Sequence, residues 1–403
     1  MKLFDILKQF TNKVKPDASA KKNSLLVKIE NETLQRVKQT IERWRYAVYS
    51  AEDVNMYRRT ELYRLYKDLD TDQHLQAAID LKKDRLQAIQ FAIYNQDGSV
   101  NELATDKFNA RWFYNLISIF VDTMFWGHSL IQIDEIYEKD ISLTLIPRQN
   151  VKPEYREYLV NYNDMRGESY TDDKTYNWLI EIGSSTSLGN YASLTPLLLY
   201  KKFALQFWAE FQELFGTPLR IGKTKSSIPD ERNRFVQFLK DMGSSSFAVL
   251  SEGEDVEFVE SKTSDSFSVY LEFLKFINSE ISKKVLGAVE MIDGSTGGSE
   301  ARAKVHNLQA DYKTRSELRE LKFFINDIVI PKLATLGFVE SGVYFNFDDN
   351  EVLSIIDKVK VDKTITEIVQ SGVFSKEYIE SRYNVELSDS NDSNDINDSN
   401  ETD

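Results

Sequence analysis

Leu194–Phe215 reads LTPLLLYKKFALQFWAEFQELF, and the architecture turns on it. Phe203, Phe207, Phe211 and Phe215 recur four apart, with Tyr200, Ala204 and Trp208 in a neighbouring row, which is the spacing of one broad helical face. These 22 residues, at about 1.5 Å rise each, predict a rod of roughly 33 Å. Gly216, Thr217 and Pro218 stop it. So wide an aromatic face has to pack on another helix or on a copy of itself. About fifty residues later the pattern returns in Phe267–Leu286, FSVYLEFLKFINSEISKKVL, where Tyr270, Phe273, Leu274, Ile277, Ile281 and Val285 make the apolar stripe. Between the rods the sequence predicts a strand over Leu219–Lys223, a helix over Pro229–Met242, and a β-pair around Phe247–Leu250 and Val256–Val259. Two long helices flanking a compact insert, with mixed segments on either side, predict an α+β chain.

Upstream, Leu25–Arg45 carries apolar residues at helical spacing. A second helix follows Asp70, Thr71 and Asp72, which offer N-cap chemistry, and runs through QHLQAAIDLKKDRLQAIQ with Leu75, Ala78, Ile79, Leu86 and Ile89 on one face. His74, near its start, reads as a surface or capping residue. FAIY and the turn Asn95-Gln96-Asp97-Gly98 predict a strand and hairpin. Residues 106–126 predict one apolar helix bearing Phe108, Trp112, Leu116, Phe120 and Met124, closed by Gly127. Ser129–Ile136 and Leu143–Ile146 read as strands, and Tyr176–Ile182 as the one clear strand before Gly189. Downstream of the second rod lie Gly287, the glycine-rich stretch AVEMIDGSTGGS, and a long polar helix over Glu300–Asn326.

The chain has 403 residues, a net charge of −14 and no cysteine, which excludes a disulfide framework, a thiolate metal site and a cysteine nucleophile. Residues 1–50 carry eleven Lys or Arg against five Asp or Glu, leaving the remainder strongly acidic. From Glu386 onward there are seven acidic residues and no basic one, a composition that reads as a solvated tail. The longest apolar stretch, Leu116–Trp126, is interrupted by Asp122 and is far short of a membrane span. So acidic a chain suits a surface past which DNA slides better than one that grips it.

No constellation in the sequence supports catalysis. Gly294, Gly297 and Gly298 are not followed by the Lys that a phosphate loop needs, and they follow a helix instead of a strand. Glu290 and Asp293 sit in a glycine-rich loop, a poor setting for a rigid carboxylate pair. Ser299 and His306 lack the G-x-S-x-G context of a nucleophile. His74, His128 and His306 are too far apart for a local metal motif, and the basic excess on the 300–326 helix reads as a solvated face. No catalytic residue, metal ligand or cofactor is expected.

The order of these features resembles the portal proteins of tailed double-stranded DNA bacteriophages, most closely the Mu-like branch. The resemblance rests on FQELFGTPLRIGK (Phe211–Lys223), KKVLGAV (Lys283–Val289) and GGSEARAKVHNLQADYKTRSELRELKFFINDIVIPKL (Gly297–Leu333). WFYNLISIFVDTMFWGHSLIQID (Trp112–Asp134) and LTLIPRQNV (Leu143–Val151) add to it, so that it covers roughly residues 50–345. The resemblance implies a basic N-terminal segment (1–50), an α/β wing (51–193 and 300–350, the latter with a long kinked helix) and two stem helices (194–216 and 267–287). It further implies a small α/β clip (217–266), a tunnel loop (288–299), a short helical crown (351–387) and an acidic tail (388–403).

It also implies residue roles. Glu290, Met291, Ile292, Asp293, Gly294, Ser295, Thr296, Gly297 and Gly298 would face DNA in the channel. Phe203, Phe207, Phe211, Phe215, Tyr270, Phe273, Ile277 and Ile281 would pack between subunits, and Pro218, Arg220, Phe235 and Phe238 would belong to the clip. The implied assembly is a ring of identical copies, usually a dodecamer, at one capsid vertex of the virion. Its implied partners are the major capsid protein, the terminase large subunit, a head–tail adaptor, and double-stranded DNA passing without sequence-specific binding; no membrane is involved. Competing readings are a monomeric helical adaptor or scaffold protein, and a metal-dependent nuclease, which would need a rigid carboxylate cluster.

Overall fold

In the computed structural model the described residues are 21–22, 39–172, 175–215, 219–224, 228–241, 254–259, 264–287 and 300–347, with Ser375 and Tyr378. Residues 25–38, the segment Phe247–Leu250, the 288–299 loop, nearly all of the crown and the acidic tail lie outside them, and the helix expected over Leu25–Arg45 does not run through, because Gln39 and Thr40 are not helical. β1 (Lys21–Lys22) precedes α1 (Ile41–Glu52), which starts where the Thr40 hydroxyl accepts from Arg43 N at 3.2 Å. α2 (Thr60–Leu69) leads to α3 (Gln73–Gln87), and of the three candidate caps it is Asp72 that accepts from Leu75 N, at 2.9 Å.

The strand β2 (Phe91–Tyr94) and its turn form as expected, but the hairpin does not. Only a single bridge, Tyr94 to Val100, follows the turn, because Asn101 at once caps α4 (Glu102–Phe108) through Ala104 N. The partner of β2 is β11 (Tyr344–Phe347), some 250 positions on, in the antiparallel register Ile93 to Phe345. The single helix expected over 106–126 is two, α4 and α5 (Arg111–Trp126). Ala110 is extended between them, and the Trp112 indole donates to Lys107 O at 2.9 Å, occupying a carbonyl that the end of α4 leaves open.

β3 (His128–Ile136) is the central strand of the main sheet. β4 (Ile141–Leu145) lies on one edge, and the other is shared by β8 (Leu179–Gly183) and, at the far end, β1. Residues 176–182, expected as one strand, divide into a 3-10 turn over Tyr176–Trp178 and β8. Before them the short strands β5 (Val151–Lys152), β6 (Glu157–Tyr158) and β7 (Glu168–Ser169) make a separate small sheet that the sequence did not announce.

α6 (Gly189–Phe215) begins five residues earlier than its apolar face suggests and carries Pro196 inside. Proline has no N–H to give to the carbonyl of Ala192 four residues back. The indole of Trp44 on α1 donates there instead, at 3.2 Å. The insert follows as β9 (Leu219–Thr224), α7 (Pro229–Asp241) and β10 (Glu254–Val259). β10 pairs with β9, antiparallel along all six residues, while Phe247–Leu250, the expected partner of Val256–Val259, lies outside the described residues.

α8 (Ser264–Leu286) returns antiparallel to α6. The last long helix is α9 (Glu300–Phe324), a π-turn over Ile325–Val329, and α10 (Ile330–Thr335), with Pro331 just after the irregularity. Asn326 in the π-turn binds Phe345 by both its donor and its acceptor, at 3.0 and 2.7 Å, and so fixes β11 against the helix. The main core runs from Ala47 to Phe347, with Phe113, Leu116, Ile131, Leu199, Ile281 and Leu321 fully buried, and leaves out the insert and the small β5–β7 sheet, whose Val151 and Tyr158 join Leu130, Ile146, Tyr170 and Leu179 in a second cluster.

Candidate functional site

The paired helices α6 and α8 divide into a buried half and an exposed half. Near the body, Leu194, Leu198, Leu199, Ile277, Ile281 and Val285 are at most 2% exposed and belong to the main core. Beyond Ala204 and Leu274 the same helices leave the body, and their apolar residues turn outward: Phe207 is 56% exposed, Phe273 41% and Val269 66%. Leu205 is exposed too, and Tyr200 and Phe276 face out from the body-side halves, beside buried neighbours. Phe211 and Tyr270 meet across the pair with ring centroids 6.0 Å apart.

The end of α2 and the start of α3 hold the base of this pair through polar contacts. Lys201 pairs with Asp72 at 2.7 Å and Lys202 with Asp68 at 2.5 Å. His74 meets Asn278 O at 3.0 Å and the Ser282 hydroxyl at 2.8 Å, so it joins two helices and is neither a cap nor a free surface residue. On its other side α3 reaches α9 through Lys82 and Glu317, at 2.5 Å and largely buried. The sequence held a signal for this anchor, three aspartates before α3 and the Lys-Lys pair of LYKK on α6, but no local rule pairs them across 130 positions.

The residues singled out from sequence fall into distinct places. Phe203 is half-buried against the core, Phe211 and Tyr270 are half-buried on each other, and Phe207 and Phe273 are exposed. Ile277 and Ile281 are both fully buried within the protomer, so their side chains are already used by this chain's own core. Phe235 is buried in the insert, at 4% exposure. Phe215, Arg220 and Phe238 lie on α6, β9 and α7, with side chains outside the description. Pro218 and the nine positions Glu290–Gly298 lie outside the described residues.

Among the described residues no group of three or more His, Asp or Glu side chains is placed to hold a metal ion, and no helix is long and apolar enough to cross a membrane. Two polar groups, Glu181 half-buried and Lys332 buried, stand near the sheet. Glu181 accepts from Tyr170 at 2.6 Å and meets His128 Nε2 at 2.9 Å. Burial pushes its pKa up, but these two bonds outweigh it and the carboxyl titrates below the usual range. Lys332 donates to Tyr176 O at 2.5 Å over the ring of Tyr176, and burial pulls its pKa down to about 8, with Glu181 opposing.

Because the unfolded chain keeps the ordinary lysine value of 10.5, it binds more protons than the fold between about pH 8 and 10.5, and Lys332 makes stability rise with pH across that window. Lys313 is held down to about 8 as well, by burial first and by Lys82. The contribution of Lys332 is therefore read as a difference: denaturation midpoints of Lys332→Met should gain less from pH 8 to 10 than those of the unaltered chain.

The family described as the portal protein of Mu bacteriophage matches residues 63–385. A Mu-like prophage protein of Haemophilus influenzae, FluMu protein gp29, is 22% identical over 310 residues, covering 71% of this chain and 58% of its own length. The portal protein of Escherichia phage Mu is 21% identical over 292 residues, 66% of this chain and 55% of that one. The chain thus spans little more than half the length of these relatives. A chain in the virion structure of a native gene transfer agent particle shares the fold with a TM-score of 0.53 at 11% identity, over 85% of this chain and 99% of that one.

Proposed function

The chain belongs to the portal protein family of Mu bacteriophage, and we propose that it assembles into a ring at one capsid vertex of the virion, through which double-stranded DNA is packaged and later ejected. In this reading the ring is also the docking platform for the terminase motor and then for the head–tail connector. Its action on DNA is steric and electrostatic. Hydrolysis of ATP and cutting of the duplex belong to the terminase, and the net charge of −14 keeps a polyanion from sticking to the channel.

The observation that carries the proposal is the split of α6 and α8. A monomeric adaptor has no reason to leave Phe207, Phe273, Phe276 and Val269 in water on helices that also supply the core. A neighbour related by rotation about a ring axis covers such a face by a heterologous contact, which closes when the rotation does. Because Ile277 and Ile281 are buried within the chain, the contact between copies falls to the exposed residues Phe207, Phe273 and Phe276, with Phe211 and Tyr270 behind the outer two.

The test is Phe207→Asp combined with Phe273→Asp. Neither residue is in the core, so the protomer should keep its melting temperature. Light scattering and negative-stain images should show the unaltered chain, with its capsid partners supplied, as end-on rings many times the 46.7 kDa protomer, and the double variant as protomers. Rings of undiminished yield from the double variant would remove this face from the interface. An unaltered chain that stays monomeric beside its partners would sink the ring itself.

A further inference from the structure

A cleft of about 650 Å³ opens on the body, away from the paired helices, between α1, the start of α2 and the β5–β6 region. Its charges do not cancel. Arg59 is taken by Glu154 at 2.6 Å. Arg43 and Arg64 share one carboxylate, Glu61, at 3.1 and 2.5 Å, and Arg64 Nε is buried with no hydrogen-bond partner among the described residues. Arg58 touches only the sulfur of Met165, at 3.4 Å, and no carboxylate pairs with it among the described residues. Lys152 Nζ donates to the carbonyls of Asp164 and Met165 at 3.0 and 2.6 Å and has no carboxylate within ion-pair distance there. Burial, with Arg58 and Arg166 adding to it against Glu157 and Asp164, holds the Lys152 pKa below the ordinary lysine value. Glu42 and Asp164 also line the cleft, and Asp164 accepts from Asn161 N. Tyr46, Tyr57 and Tyr162 complete a lining rich in the residue types that anchor protein contacts.

Such a cleft on a chain of net charge −14 selects a carboxylate-rich segment. The chain itself carries one: residues 386–403 hold seven acidic side chains and no basic one, with Asp389, Asp392, Asp395 and Asp398 three apart. From Phe347, the end of β11, to Glu386 there are 39 residues, a tether of up to about 130 Å when extended, so reach does not limit the docking. Tethering supplies the segment at an effective concentration near the millimolar range, enough to populate contacts that are weak individually. We propose that the cleft docks this acidic segment, 386–403, of the same or another copy of the chain, with Arg58 and Lys152 meeting its carboxylates.

The full chain, treated at low salt with a carbodiimide that joins amines to carboxylates only in direct contact, should yield peptides linking Lys152 to 386–403. The exposed pair Lys139–Asp106, 2.7 Å apart, is the internal standard for reaction and fold. Arg58→Glu should lower the Lys152 yield at least about threefold against that standard, as should about 0.5 M salt applied to the unaltered chain. Amide exchange over 386–403 in the same full chain should quicken in Arg58→Glu. The proposal is overturned if Lys139–Asp106 links form while Lys152 links to 386–403 do not. It is overturned equally if neither their yield nor the exchange of the segment responds to Arg58→Glu.

Discussion

Glu154→Ala should cost the fold about 3–5 kcal/mol, the loss expected when one partner of a buried ion pair is removed and the other is left behind. Arg59 and Glu154 are 4% and 8% exposed, 2.6 Å apart. The Arg59 guanidinium also donates to Ser187 O at 2.8 Å and Ser185 O at 2.5 Å, so it ties α2, the segment before β6 and the turn before α6 into one joint. Without Glu154 the charge stays, because these carbonyls hold the side chain and an arginine does not give up its proton. The variant should melt about 4–6 °C below the unaltered chain in calorimetry. Arg59→Met combined with Glu154→Met should recover most of that loss, since two apolar side chains of similar length leave no orphan charge. A double variant as unstable as Glu154→Ala would show that the joint depends on the hydrogen bonds to 185 and 187 more than on the ion pair.

Gly189→Ala should be comparably damaging, by about 2–5 kcal/mol, through left-handed backbone strain together with overpacking. Gly189 has φ +74°, and an added Cβ would stand 2.5 Å from Gly127 N and 2.6 Å from Phe125 C, with Phe125 O closer still. All three are backbone atoms at the end of α5, which cannot rotate away as a side chain would. Gly98→Ala is the matched comparison: its φ is +83°, yet nothing lies within 4 Å of the new Cβ. It should lose only the conformational part, about 1–2 kcal/mol. Thermal midpoints of the two variants separate the terms, and equal losses would show that close packing at the root of α6 contributes nothing. Because Gly189 opens α6, a shift there should also reach the assembly proposed above.

Much of the helical architecture was legible in the residues. The apolar spacing of 194–215 and 267–286 located both rods to within a few positions, and the early start of α6 escaped because Gly189–Ser193 contributes little to the apolar face. α4 and α5 were read as one because their apolar residues continue across Asn109–Ala110, where only the Trp112 indole and the extended Ala110 show the break. The candidate surface was legible as to which helices carry it but not as to which halves. Phe207 and Ile281 look equally suited to an interface when each is read along its own stripe.

Sequence alone determined most of the helices and that two rods enclose a small insert, because helix spacing, caps and stops are written within a turn or two of each residue, though α2 went unread. Tertiary structure alone decided the rest. It chose β11 as the partner of β2, supplied the Ala192 carbonyl with the Trp44 indole, drew Lys201 and Lys202 to Asp72 and Asp68, and buried Ile281 while leaving Phe207 in water. Each of these joins residues more than a hundred positions apart or depends on how far the body reaches along a helix. Local periodicity carries no information about either, because burial is fixed by the volume the other elements fill and not by the helix that is buried.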